Sequence, residues 1–286
     1  MGRQRRDERE EPQARLSDGS IARIAPGDFG GGWELVVDGT PQSHVDLDDP
    51  THLHFEYVAR MGAVIDQLPR GPLTAVHLGA GGLTVPRYVE ATRPGSRQQV
   101  VELEQPLVDL VREHLPLPRG AAIRIRIGDA RTGLERLPAS LSGNVDLLVS
   151  DVYSGARTPA HLTTVEFYRA AAALLAPAGV MLVNVSDGAG LAFARRQVAT
   201  VREVLPHVVV LAEVQVLKGR RFGNLVVAAS AAELPTEWLP RLMAAGPHPA
   251  KVAEGREIDE FVRGALPATD ADATPSPRPS ASLFER

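Results

Sequence analysis

Between Ala75 and Glu104 the chain reads AVHLGAGGLTVPRYVEATRPGSRQQVVELE. An apolar run stops at Gly79-Ala80-Gly81-Gly82, a short helical pattern follows, and a second apolar run stops at Glu102. Strand, glycine turn, helix, strand and acid is a unit that folds only inside a parallel α/β sheet. Glycines in such a turn let backbone approach a ligand with no Cβ in the way, and an acid about 20 residues on can accept both hydroxyls of a ribose. The same residues also suit a merely structural turn, because the dinucleotide fingerprint wants a further glycine where Thr84 stands.

The surrounding pattern extends the unit. Strands are expected at 74–78, 98–102, 123–127, 145–150, 179–185, 207–212 and 224–229, with helices near 84–91, 106–114, 131–137, 163–175 and 190–204. Alternation of this length implies a mostly parallel seven-stranded sheet covered on both faces, with ligands at the carboxyl ends of the strands. A chain of 286 residues, 44% hydrophobic and 23% charged, suits one large domain with an appendage. The appendage is expected over residues 18–50. There IARIA, WELVV and QSHV are short β segments, and Asp38-Gly39 is a hairpin signal, giving a small antiparallel unit. A helix from Thr51 or His52 to Gln67 then leads into the α/β domain over 51–232, which a helical extension over 233–267 follows. Residues 1–17 and 268–286 are polar or rich in Pro, Ser and Asp, and are expected to be disordered tails.

Bulk properties exclude several functions. A net charge of −4 gives no general electrostatic reason for nucleic-acid or anionic-membrane binding. Without cysteine there is no thiolate catalysis and no disulfide. The opening residues mix both charge signs, and the most hydrophobic stretch, Ala170 to Val185, is broken by Pro177 and Gly179, so the expectation is a cytoplasmic protein with no membrane partner. The histidines show no tight ligand spacing except His52 and His54, which would fall on different faces of the expected helix, and no metal site is expected.

Four polar signals end successive expected strands: Gly79 to Gly82, Glu102 with Glu104, Asp129 after RIRIG, and Asp151 after VDLLVS. Each alone suits a solvated loop acid, but together they line one crevice at the point where strand order reverses. The chemistry fits an adenosine-bearing sulfonium. Glu102 takes the ribose hydroxyls, Asp129 and Ala130 meet the adenine amino group, and Asp151, beside Tyr153, faces the reacting end as base or charge stabiliser.

In order, VVDGTPQS, DPTHLHFEY, LGAGG, VVELE, IGDA, SDVYSG and VNVSDG make residues 30–230 resemble a spermidine synthase, a polyamine aminopropyltransferase on the Rossmann-like class I methyltransferase fold. The resemblance implies S-adenosylmethionine or its decarboxylated form as donor, a small-molecule acceptor, and a homodimer. It assigns Gln42, Gly79, Ala80, Gly81, Gly82, Glu102, Leu103, Asp129, Ala130 and Asp151 to the donor, and Asp151 with Tyr153 to catalysis. Tyr57, Ser154, Arg221 and Phe222 would face the acceptor.

Gly82 stands where the family pattern has an acid for the donor's amino group, Phe55-Glu56-Tyr57 replaces Tyr-His-Glu, and Ser154-Gly155 stands where a second acid follows the catalytic one. Lys218, Arg220 and Arg221 would repel a polycation and attract a carboxylate or phosphate, unless they form an ordinary exposed hairpin. A methyltransferase acting on a non-polyamine, possibly anionic acceptor is therefore a rival reading, and a noncatalytic ligand-binding homologue is a rival of another class.

Overall fold

The computed structural model describes residues 11–27, 31–153, 157–245 and 248–278. Strands β1 (Gln13–Arg15), β2 (Ile21–Pro26), β3 (Trp33–Val37) and β4 (Thr40–Val45) form an antiparallel sheet in that order. Asp38 and Gly39 both take positive φ, 46° and 80°, which is the turn geometry that matches the twist of a two-residue hairpin. One face of this sheet carries Ala22, Ile24, Leu35 and Val45, which pack on Leu83, Val100, Leu107 and Val111 of the main domain.

The expected disordered tail over 1–17 is corrected at Gln13–Arg15, which pairs with Ile21 to Arg23. That three-residue strand is too short to give a periodic signal. It is held by the Ser17 amide and hydroxyl, which donate to the Glu104 carboxylate 87 residues away.

Helix α1 (Glu56–Gln67) starts later than Thr51 or His52. Asp46 and Asp49 accept backbone N–H bonds from the residues that follow them, turning 46–51 into linked turns that compete with a helix. His52 and His54 thus precede the helix rather than lying on two of its faces, and their rings pack against His44 at 5.5 and 4.7 Å.

The main domain runs β5 (Thr74–Leu78), α2 (Thr84–Thr92), β6 (Arg97–Glu102), α3 (Gln105–His114), β7 (Ile123–Ile127), α4 (Ala130–Glu135), β8 (Val145–Ser150), α5 (Val165–Ala172), β9 (Leu175–Asp187), α6 (Ala192–Arg202), β10 (His207–Ala212), α7 (Val214–Leu217), β11 (Gly223–Ser230), α8 (Leu239–Ala245), β12 (Lys251–Ala253) and α9 (Arg256–Val262). Sheet order is β12-β10-β11-β9-β8-β5-β6-β7. The five strands from β7 to β9 are parallel, while β11 pairs antiparallel with both β9 and β10. The order reverses at β5 and β8, which places the crevice at their carboxyl ends. Eight strands replace the expected seven. Lys251–Ala253 lies in the segment expected to be purely helical, and it extends the sheet edge by pairing with β10.

Alternation along the buried strands supplies a core on each face. Met181, Val183 and Val185 of β9 face Phe167, Ala194 and Val198. Val180 and Leu182 face Val58, Met61 and Ile65 of α1. No helix of the described residues is long and apolar enough to cross a membrane.

The second tail expectation is corrected over 268–278. Ala268 and Ser276 are buried, and the segment exchanges hydrogen bonds with Val165, Thr200 and Thr158. Its backbone groups, not its apolar content, hold it down.

Candidate active site

Gly79 leaves β5 with φ +90°, and a Cβ there would lie 2.2 Å from the Asp151 carbonyl oxygen. A glycine is therefore required for β5 and β8 to run this close, with the Asp151 amide donating to Leu78 O at 2.9 Å. The turn opens a cavity of about 420 Å³ lined by Gly79, Ala80, Gly81, Glu102, Asp129 and Asp151, among others. Gln42, Tyr57, Leu103, Ala130 and Tyr153 also line it.

Glu102 ends β6 beneath this turn. Its carboxylate accepts the Ala80 amide at 2.8 Å and the Glu104 amide at 3.0 Å. Burial pushes its pKa up against those bonds. The fixed carboxylate keeps further lone pairs for hydroxyl donors in the cavity.

Asp129 caps α4 by accepting the Arg131 and Thr132 amides. Its other oxygen meets His161 Nε2 at 2.7 Å. Burial pulls its pKa up, but the His161 and backbone donors outweigh that and hold it below the ordinary carboxylate value. His161 lies on a short turn, Ala160–Leu162, and lines the cavity with Pro159 and Leu162. The sequence gives no local sign of this pair, since 32 residues separate its members.

Asp151 follows β8. Asn184 Nδ2 donates to its Oδ1 at 2.9 Å, and the Tyr57 hydroxyl is a second donor. Burial raises the carboxyl pKa, and these two donors only partly oppose it. A partly desolvated carboxylate held by two neutral donors suits a base that must accept a proton from an amine. Burial, with Asp151 nearby, raises the pKa values of Tyr57 and Tyr153, so both phenols stay protonated. Asn184 belongs to the VNVSDG motif, whose strand position alone did not reveal its partner.

Several expected residues fall elsewhere. Gly82 does not line the cavity. Its amide donates to Ser43 Oγ at 3.0 Å, and a Cβ on it would lie 2.8 Å from Val45 Cγ2. The N-terminal sheet thus occupies the space an acidic side chain would need. Arg221 is not a free cation at the cavity. It pairs with Glu213 at 2.8 Å and lies 3.5 Å from Glu56. Phe222 packs against Gly188 and is absent from the cavity wall. Ser154 lies outside the described residues.

No protein-family profile matches the chain. A probable spermidine synthase from Corynebacterium glutamicum is 31% identical in a structural alignment covering 92% of this chain and 97% of that one, with a TM-score of 0.81. Polyamine aminopropyltransferase 2 of Hyperthermus butylicus is 28% identical over 223 residues, 76% of this chain and 68% of that protein. A probable polyamine aminopropyl transferase of Bifidobacterium longum is 31% identical over 120 residues, 41% of this chain. The chain spans about a quarter of that last relative's length, 26%.

Proposed function

We propose an aminopropyl transfer from a premise of kinship: this chain belongs to the spermidine synthase-like family of transferases, on the class I methyltransferase fold. The donor in this reading is decarboxylated S-adenosylmethionine, with its ribose on Glu102, its adenine beside Asp129 and Ala130, and its sulfonium chain towards Asp151. Gln42 and Leu103 contribute further walls. The acceptor's amine enters against Asp151, Tyr57 and Tyr153. A homodimer acting in the cytoplasm completes the family reading.

The observation that carries the proposal is Asp151. Its carboxylate stands at the switch point, on the wall of the same cavity as Glu102, with Asn184 and Tyr57 donating to it. The acceptor ammonium gives its proton to this carboxylate. The freed nitrogen lone pair then bonds the propyl carbon next to sulfur, the carbon–sulfur bond breaks, and its electron pair stays on sulfur as neutral methylthioadenosine. Asn184 and Tyr57 keep the base oriented through this step, and positioning plus proton removal are the contributions these residues make.

Calorimetry and product chromatography on the whole chain test the reading. Selective binding of the decarboxylated donor and release of methylthioadenosine are expected. Tight binding of S-adenosylmethionine alone, or formation of S-adenosylhomocysteine, would show a methyl transfer instead.

A further inference from the structure

Asp129 is held from two sides. Its Oδ1 accepts the Arg131 and Thr132 amides at 3.0 and 3.2 Å, which ties it to the start of α4. Its Oδ2 meets His161 Nε2 at 2.7 Å, and His161 comes from the separate turn Ala160–Leu162. Burial alone would raise the carboxyl pKa, but His161 and the amides hold it below the ordinary value, so at neutral pH Asp129 is ionised and can only accept. The proton between the two side chains therefore belongs to Nε2, which makes the imidazole the donor. With one of its lone pairs filled by His161, Oδ2 keeps one acceptor direction open.

Both side chains line the cavity, the imidazole 49% and the carboxylate 30% exposed, so a base entering it can reach the pair directly. The turn beneath the imidazole is tied from behind. His161 O accepts Arg131 Nη1 at 3.3 Å, and Arg131 forms a two-point pair with Asp270 of the 268–278 segment. Thr163 Oγ1 donates to Ala160 O at 2.7 Å, and Gln197 Nε2 of α6 donates to Thr163 O at 3.1 Å. A fixed backbone thus delivers one N–H donor to one carboxylate oxygen, on the side of the cavity away from Asp151.

We propose that His161 is a positioning residue for the donor's base: its Nε2–H fixes the rotation of the Asp129 carboxylate so that the open lone pair of Oδ2 accepts from the 6-amino group of adenine. This rests on the adenosyl-donor part of the reading above, and on no choice of transferred group. The consequence is a site that selects a 6-aminopurine. A 6-oxopurine turns an oxygen towards an acceptor that has no proton to offer, and the proton of His161 is already committed to Asp129. Without the imidazole, the carboxylate keeps only the α4 amides on Oδ1 and can swing Oδ2 out to water. That motion loses affinity for the amino group and relaxes the penalty on the oxo group together.

Calorimetry on the whole chain tests this by comparing 5′-methylthioadenosine with 5′-methylthioinosine, which carries an oxo group at position 6. Wild type is expected to bind the adenosine compound about 100-fold more tightly. His161→Phe keeps a flat ring but has no donor. It should weaken methylthioadenosine about ten-fold and leave methylthioinosine unchanged or slightly tighter, narrowing the ratio to about ten. His161→Gln, whose amide N–H can reach the carboxylate, should restore most of the ratio. A merely structural role lowers both affinities together and leaves the ratio at its wild-type value, and that result overturns the proposal. Tighter methylthioadenosine binding in His161→Phe also overturns it, because the imidazole would then occupy the amino group's place. Should His161→Phe fail to fold, His161→Asn, too short to reach Oδ2, takes its part in the comparison. The reading beneath fails in a different way. If wild type binds neither nucleoside, the adenosyl donor falls and this proposal with it. A His161-dependent ratio alongside formation of S-adenosylhomocysteine sinks aminopropyl transfer and leaves the role of His161 standing.

Discussion

Asp151 carries its charge into a strand end where burial opposes it, and Asn184 and Tyr57 offset part of that opposition. Each donor stabilises the carboxylate over the acid, so each lowers the pKa that burial has raised. Activity in this reading needs the carboxylate, so kcat/KM should climb with pH through an apparent pKa above the ordinary value near 3.9. Tyr57→Phe removes one donor and should move that limb further towards alkaline pH, by about one to two units if the bond contributes the ~1.5–3 kcal/mol of a charged hydrogen bond. Asp151→Asn should cost about 100 to 10,000-fold with any acceptor. A limb that stays in place in Tyr57→Phe would remove the tyrosine from the reaction. The contrast with Asn184 and His161 shows what a sequence can reveal at this scale. Gly79, Glu102, Asp129 and Asp151 are legible because each ends a strand whose apolar run announces it. His161 gains its role from Asp129, 32 residues earlier. Arg221 misled for the same reason, since its partners Glu56 and Glu213 come from separate elements.

Most strands of the α/β core were readable to within a residue, because buried strands are bounded by glycine, proline or acid and their faces alternate. β9 instead begins at Leu175, inside the helix expected over 163–175, which ends at Ala172, and the short helix Val214–Leu217 was not expected. Segments that dock through backbone groups were not readable. Residues 268–278 hold too few apolar side chains to suggest order, yet the Thr158 and Ser276 pair exchange two hydrogen bonds and Val165 donates to Ala268 O. Arg131 with Asp270 and Arg196 with Asp272 add exposed ion pairs, which contribute little on their own. What this strap pins is the stretch from Thr158 to Glu166, and that stretch brings Pro159, His161 and Leu162 to the cavity wall. Deleting residues 267–286 should therefore lower Tm and weaken methylthioadenosine binding about ten-fold, as the adenine-side wall loosens. Ser276→Ala should show a smaller loss of stability, about 1 kcal/mol. A deletion that leaves both Tm and the dissociation constant unchanged would mean that the strap merely rests on the surface.

At the scale of the molecule, the cavity belongs to neither sheet alone. Leu35, Val37, Gln42 and Ser43 come to it from the N-terminal sheet, and the glycine turn and acids come from the main one. The two meet at the glycine turn, α2 and α3, and His77 lies in the neighbouring β5, where the parallel sheet turns about, 1% exposed. Its Nε2 meets Gln98 Oε1 at 2.9 Å, and Gln98 Nε2 donates to Pro86 O, so the pair ties β5 and β6 to α2. Burial lowers the imidazole pKa from 6.5 to about 4, with the Gln98 bond opposing only part of the shift. Above pH 6.5 the ring is neutral in folded and unfolded chains alike, and this histidine makes stability no function of pH. Below 6.5 the unfolded chain takes up the proton while the folded chain refuses it until about pH 4, so stability drains away across that window. At 1.36 kcal/mol per unit the loss comes to about 3 kcal/mol. Glu102 and Asp151, with raised pKa values, work in the opposite sense, because the folded chain binds their protons first as pH falls. The histidine is isolated by difference: urea unfolding of wild type and His77→Leu at pH 7, 6, 5 and 4 should give free-energy curves whose separation changes by about 3 kcal/mol across the series. A constant offset from the unpaired Gln98 cancels in that comparison. Parallel curves would show that the central strand admits a proton as readily folded as unfolded, and that His77 is not what weakens the fold in acid.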